Sequence, residues 1–394
     1  MPMPLETVRV LDLSRLLPGP FCTLQLADFG ADVIKIENPA EGGDSFRGRE
    51  PRAGAHGAIF SALNRNKKSV TLNLKHEKGK EIFRKMIGRA DVLVESFRPG
   101  VMDRLGLGYS ALKEINPRLI YCAITGYGQD GPYSHLPGHD INYIGLAGLL
   151  QLQGERNGPP VLPATQIADI GGGAMMGLTG ILLALFARNL TQKGQFVDIS
   201  MMDGAVAWLQ SVVPEYMLTA RLPQRGAMGL TGGRACYGVY KASDGRFLAV
   251  GALEPKFWKT FCEVIGRQEL IPRLADPLAT QDRMKEEIQA VISTRTRDEW
   301  LAVFVGKDTC VTAVSDLDEL LRDPQIMHRQ MLPEVDFPGG TGRQKQIGIP
   351  IKLSHTPGQI RTDAPALGQH TGQLLAECGI AQEELPRLRE QGII

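Results

Sequence analysis

Little in this chain is extreme, and each missing extreme removes a class of function. Of 394 residues, 44 are Lys or Arg and 43 are Asp or Glu, a net charge of +1. So small a charge offers no global attraction to nucleic acid or to an anionic membrane. The six cysteines (Cys22, Cys122, Cys236, Cys262, Cys310 and Cys378) are scattered, with no Cys-x-x-Cys pair. Neither a zinc motif nor a disulfide framework is expected, and buried thiols of a reducing, cytoplasmic compartment are. The opening Met1-Pro2-Met3-Pro4-Leu5-Glu6 lacks a basic region followed by an apolar one, which argues against a secretory signal. No apolar run is expected to reach the roughly 18 residues that span a bilayer. A Walker loop, a Gly-x-Ser-x-Gly elbow, a His-Glu-x-x-His helix and internal repeats are all missing, so no metal or resident cofactor is expected.

What is present points to an α/β fold. At 394 residues with 43% apolar content, the chain can bury more than one core. Strand-like runs recur at Val8 to Leu13, Val33 to Ile36, Val70 to Leu74, Val92 to Val94, Leu119 to Ile124 and Phe196 to Ile199. Helical segments lie between most of them, which implies a mostly parallel sheet covered on both faces. Pro18 and Pro20 open the first helix, which should end near Gly30. The stretch Ala174 to Ala187 reads as a buried helix. Glycine and proline crowd 222–234, suggesting a linker. The turn Ser243-Asp244-Gly245 between two strand-like runs then signals a hairpin. These features divide the chain into 1–221, a smaller α+β domain at 222–325, and a final part at 326–394.

Gly138-His139-Asp140-Ile141-Asn142-Tyr143 and Ala168-Asp169-Ile170-Gly171-Gly172-Gly173 carry the chemistry. Each places a titratable group where a helix begins. A histidine and a carboxylate so placed can take a proton from a carbon acid and return it on the opposite face. A helix N-terminus disfavours the imidazolium and keeps His139 ready to accept. The plainer alternatives are that Asp140 and Asp169 are helix caps. Bare backbone N–H groups near Gly172 or Gly128 could hold a developing oxyanion. Gly126-Tyr127-Gly128-Gln129-Asp130-Gly131 matches the dinucleotide fingerprint, but Pro132 and Pro137 follow where a helix should start. The stretch reads as a loop at the carboxyl edge of a sheet. Glu254 opens a helix, as a cap or as a carboxylate that orients a histidine. Arg15, Arg47, Arg65, Lys67, Lys68 and Arg98 recur at loop or strand ends and could line a site for a phosphorylated ligand.

Together these segments resemble the class III CoA-transferase family, which includes formyl-CoA transferase, carnitine CoA-transferase and α-methylacyl-CoA racemase. The resemblance begins with Val8 to Arg15, Pro18-Gly19-Pro20 and Leu26 to Glu37. It continues through Phe97-Arg98-Pro99-Gly100, Gly126 to Gly131, Asp169 and Gly194 to Asp198, and ends at Gly368-Gln369-His370-Thr371. The Gly138 to Tyr143 segment is similar to the racemase branch. The resemblance implies that His139 and Asp169 are the two bases and that Glu254 supports the histidine. In the transferases, the position of Asp169 is the nucleophile. Leu63 to Ser69 looks more like the CoA loop of the transferases. The family implies an interlocked homodimer whose Rossmann-like large domain is built from both termini. It implies acyl-CoA as substrate, with CoA contacts at Arg15, Arg47, Arg65, Lys68, Arg98 and Gly128.

Overall fold

A computed structural model describes residues 2–53, 56–337 and 342–394. The chain divides into two compact units, one of Met1–Ala147, Ala164–Trp208 and Pro324–Ile394, the other of Gly148–Pro163 and Leu209–Asp323. The first boundary thus falls after Trp208 rather than at 221, and 148–163 joins the second unit. The Gly/Pro-rich stretch lies inside that unit, irregular apart from a short π-helical turn at Gly229–Gly233, and is tied down by Arg225, which donates to the Gly158 carbonyl at 2.8 Å.

The first unit is built on six strands: β1 (Arg9–Asp12), β2 (Asp32–Glu37), β3 (Lys68–Thr71), β4 (Val92–Glu95), β5 (Ile120–Thr125) and β6 (Phe196–Ser200). All pair in parallel, in the order β3-β2-β1-β4-β5-β6. The connecting helices include α1 (Pro18–Asp28), α2 (Glu77–Ile87) and α3 (Tyr109–Ile115). Every residue of β4 and β5 is buried, as expected of strands covered on both faces. Leu11, Ile34, Leu93, Ile82 and Phe83 lie at the centre of the core. The chain runs outward from β1 to β3, then returns to the other side of β1 as β4. Parallel sheets leave a crevice at the carboxyl ends of strands where the order reverses in this way.

The outer edge of β3 is closed by the tail motif. The His370 N–H donates to the Ser69 carbonyl at 2.9 Å, and the Thr71 N–H donates to Thr371 Oγ1 at 3.0 Å. An open edge strand would expose its ladder groups to foreign chains.

Helices α4 (Asp140–Leu146), α5 (Met176–Thr191) and α6 (Met201–Ala207) complete the part of this unit that carries the site. A π-helical segment, Ile167–Met175, runs directly into α5. The continuous helix Ile167–Thr191 is 25 residues long and, by length and composition alone, apolar enough to cross a membrane. That corrects the expectation that no run would reach such a length. Thr179 and Arg188 interrupt the apolar letters without lowering their average enough. The buried helix expected at Ala174 to Ala187 is buried only in part. Only one face is packed: Gly173 and Gly177 lie against Ile124, and Gly172 against Met201. Leu183, Phe186 and Leu190 on the other face are 65%, 69% and 78% exposed.

The second unit holds helix α7 (Val213–Thr219) and an antiparallel sheet of β7 (Tyr237–Lys241), β8 (Phe247–Gly251) and β9 (Val311–Ala313). The expected hairpin joins β7 and β8, with Gly245 in the left-handed region at φ 81°. Helix α8 (Pro255–Val264) contributes Trp258, Phe261 and Cys262 to the unit's own core.

Candidate active site

A cavity of about 350 Å³ opens at the carboxyl ends of β1, β4 and β5. Its walls come from the three loops that follow those strands: Arg15 and Leu16 after β1, Ser96 to Pro99 after β4, and Gly126 and Tyr127 after β5. His139, Tyr143 and Asp169 complete it. The crevice predicted by the strand order is therefore where both candidate bases meet.

Buried charge fixes the first loop. Asp12, fully buried at the end of β1, accepts the Ser14 N–H at 2.9 Å and the Ser14 hydroxyl, and Thr23 donates to it at 2.6 Å. Lys35 donates to the Ser14 carbonyl at 2.9 Å and pairs with Asp44 at the same distance. This clamp holds Leu16 at φ 63°, an uncommon conformation for a residue with a branched side chain.

His139 sits just before α4 as its N-cap, and its own N–H donates to Asn142 Oδ1 at 3.0 Å. Asp140, expected as a possible cap of the helix that it opens, caps the next one instead. Its Oδ1 accepts the N–H groups of Ala168 at 2.6 Å and Asp169 at 3.0 Å. One buried carboxylate thus anchors the π-helical turn that carries Asp169 to the helix that follows His139. Burial and the neighbouring Asp140 charge push the Asp169 carboxyl up to about 6, with His139 acting in the opposite direction. A carboxylate titrating there is ionised at neutral pH yet basic enough to accept a proton.

Tyr143 braces the site. Its hydroxyl donates to the Gly138 carbonyl at 2.6 Å, and its ring meets Tyr127 edge-on at 5.1 Å between centroids. Burial, then the Asp169 charge, push its hydroxyl up to about 12, so it stays a donor. A Cβ at Gly126 or Gly138 would overlap this ring. In the sequence, the only sign of Tyr143's place is those two bare positions, Gly126 and Gly138.

The remaining candidates separate. Arg15 and Arg98 line the cavity. Arg15 pairs with Glu41 at 2.8 Å, while the Arg98 guanidinium makes no hydrogen bond or ion pair among the described residues. Arg47, Arg65 and Lys67 are buried and already engaged, which removes them as phosphate ligands. Arg47 grips Glu37 at 2.7 and 2.6 Å and lies over the Phe60 ring, and Arg65 grips Asp28 at 3.0 and 2.7 Å. Lys67 donates to Asp12, Thr23 and the Pro20 carbonyl. Asn66 between them, at φ 61°, accepts the N–H groups of Arg361 and Thr362. The Leu63 to Ser69 loop therefore clips the tail segment to the sheet. Lys68 pairs with Asp32 at 2.7 Å and lines a different cavity.

Gly128 is also corrected. Its φ of 87° makes the turn, its N–H is taken by Thr125 Oγ1 at 3.1 Å, and it does not line the cavity. Gly172 is likewise spent on packing, pressed against Gly204 of α6. No phosphate-binding helix follows Gly131: the next helix is α4, beyond Pro137. Glu254 lies in the second unit, exposed at the N-cap of α8, with no side-chain partner among the described residues. Among the described residues, no group of three or more His, Cys, Asp or Glu is placed to hold a metal ion.

Comparison with known proteins matches residues 5–371 to the model of CoA-transferase family III. The chain is 37% identical over 397 residues to the alpha-methylacyl-CoA racemase of Mus musculus, covering 100% of this chain and 98% of that one. It is also 37% identical over 385 residues to the acetyl-CoA:oxalate CoA-transferase of Acetobacter aceti, covering 95% of each. In structure it is similar to a CAIB/BAIF family protein from Brucella suis, at a TM-score of 0.83 and 31% identity. That match covers 96% of this chain and 100% of the other.

Proposed function

Because the chain belongs to CoA-transferase family III, we propose that it is an acyl-CoA racemase acting at the α-carbon of 2-methylacyl-CoA thioesters. The observation that carries this reading is the presence of His139 and Asp169 in one cavity, with Asp169 raised to about 6 beside the histidine. In this reading one base removes the α-proton, electrons move into the thioester carbonyl to give an enolate, and the other base returns a proton on the opposite face. Glu254 is the carboxylate proposed to charge and orient His139. Arg98 and Arg15 are proposed to hold CoA phosphates. The competing reading is a CoA-transferase. There Asp169 attacks the thioester and expels CoA thiolate to form a mixed anhydride. The thiolate attacks the aspartyl carbonyl, releasing the donor carboxylate and leaving an aspartyl thioester, from which an acceptor carboxylate takes CoA through the same two steps in reverse. The Acetobacter relative, of equal identity to the racemase, favours keeping it.

One experiment separates the two. The protein is incubated with a single enantiomer of a 2-methylacyl-CoA in deuterated buffer, with and without a free carboxylic acid. Racemisation with deuterium entering the α-position, independent of the acid, supports the first reading. CoA transfer to the acid without α-exchange replaces it with the second.

Asp140 offers a pH test of the site. Asp140→Asn keeps an oxygen acceptor for the Ala168 and Asp169 N–H groups but removes the charge. The Asp169 carboxyl should therefore titrate below about 6, and the acid limb of kcat/KM should move to lower pH. Asp140→Ala should also destabilise the fold by about 1–3 kcal/mol, because one buried and one part-buried donor lose their acceptor. An unmoved limb in Asp140→Asn would detach Asp140 from Asp169.

The family's paired architecture is proposed for this chain as well. The unpacked face of α5, with Leu183, Phe186 and Leu190, and the tip of α7, with Met217 and Leu218, supply exposed apolar surface of the kind that marks an interface. Light scattering after size exclusion should report twice the chain mass at all practical dilutions, and a stable monomer would rule the pairing out.

A further inference from the structure

Behind the catalytic cavity lies a second one of about 250 Å³, and Arg98 lines both. Its floor is Glu95, the last residue of β4, 4% exposed. Glu95 Oε2 accepts the Phe97 N–H at 2.7 Å. That bond bends the chain at the strand end. It sets the turn from which Ser96, Phe97 and Arg98 reach the catalytic cavity. From the other side, Ser96 Oγ accepts the Arg15 N–H at 3.3 Å, so the loops after β1 and β4 are tied together at this point.

We propose that Glu95 is a positioning residue for acyl-CoA, holding the Phe97–Arg98 turn and, through its own ionisation, controlling how freely Arg98 can engage a CoA phosphate. The proposal rests on the acyl-CoA reading above. The groups that act on Glu95 are Tyr121 and Cys122 from β5, Asp198 from β6 and Asp103 from the helical turn Val101–Arg104, and Arg98 lines the same cavity from the following loop. Tyr109 of α3 also lines the cavity. Burial, opposed by the Phe97 hydrogen bond and reinforced by Asp103 and Asp198, pushes the Glu95 carboxyl up to about 7. With Glu95 neutral, Arg98 has no competing anion in its own loop. Once Glu95 ionises, a buried negative charge draws on the same guanidinium and lowers its availability to the incoming phosphate. CoA affinity should therefore weaken as pH rises through neutrality.

The test is calorimetric titration of the full-length protein with free coenzyme A, from about pH 6 to about pH 8.5. The CoA phosphate itself titrates near 6, so the informative quantity is the difference between variants. Glu95→Gln keeps a carbonyl acceptor for the Phe97 N–H and cannot ionise. It should match wild type at the acid end and bind roughly fivefold more tightly at the alkaline end. With Arg98→Ala in the background, Glu95→Gln should make no difference at either end. In turnover, Glu95→Gln should change the pH profile of KM and leave that of kcat in place, which a merely structural role would not do. A second readout is stability. That of wild type relative to Glu95→Gln should fall as pH rises from about 4.5 to about 7, because folded wild type keeps a proton on Glu95 that the unfolded chain has released. Parallel affinity curves for wild type and Glu95→Gln overturn the role of Glu95 and leave the acyl-CoA reading standing. Failure of wild type to bind coenzyme A overturns both.

Discussion

Asp169→Asn should lower turnover by at least about a thousandfold, the scale of a lost general base or nucleophile. The substitution keeps the shape of the side chain and leaves the Asp169 N–H bond to Asp140 intact. A loss of this size would therefore report chemistry rather than unfolding. What survives distinguishes the two reactions. In the racemase reading His139 remains, so the α-proton of one enantiomer should still exchange with solvent deuterium while racemisation stops. In the transferase reading nothing survives, because the acyl group has no acceptor. In the transferase reading, and for the enantiomer whose proton Asp169 removes, wild-type kcat/KM should also rise through about pH 6 as Asp169 ionises, and this limb should vanish with the carboxylate. If Asp169→Asn retained a tenth of wild-type activity with either substrate, it would remove Asp169 from the chemistry altogether.

His139→Ala should be nearly as damaging under one reading and mild under the other. With two bases, loss of either one stops racemisation in both directions, because every turnover uses each once. The expected fall is about a hundred- to ten-thousandfold. Exchange should persist for the enantiomer opposite to the one that Asp169→Asn preserves. Under the transferase reading His139 only lines the acyl cavity, and CoA transfer should continue with altered acid preference. Glu254→Gln should give a weaker form of the histidine's loss if its carboxylate acts on the imidazole. Full activity of His139→Ala in every assay, in a protein whose wild type shows no α-exchange, would leave the transferase as the answer.

The sheet was legible because its strands are short β-branched runs separated by helices, a pattern that survives without tertiary context. His139 and Asp169 were legible because each stands beside glycine at a helix start. The basic residues misled. Arg47, Arg65 and Lys67 read like a phosphate cradle in one dimension, yet their partners Glu37, Asp28 and Asp12 are up to 55 positions away in the chain. Letters alone do not distinguish a cation waiting for a ligand from one already buried against a carboxylate. The same limit hid the role of Asp140, whose hydrogen-bond donors lie 28 and 29 positions further on. The exposed face of α5 escaped for a different reason: hydrophobicity measures an affinity for burial and does not say what does the burying.

The edge of β3 has a consequence for biosynthesis. The hydrogen bonds that close it join residues 300 positions apart. Strands β1 to β3 leave the ribosome about 300 residues before the segment that covers their edge. Throughout that interval the outer strand presents an open ladder flanked by Val70 and Leu72, apolar and ready to pair with another nascent chain. Contacts of such long range also slow the final search. The tail thus acts as the last fastening of a domain whose first strands were made long before it.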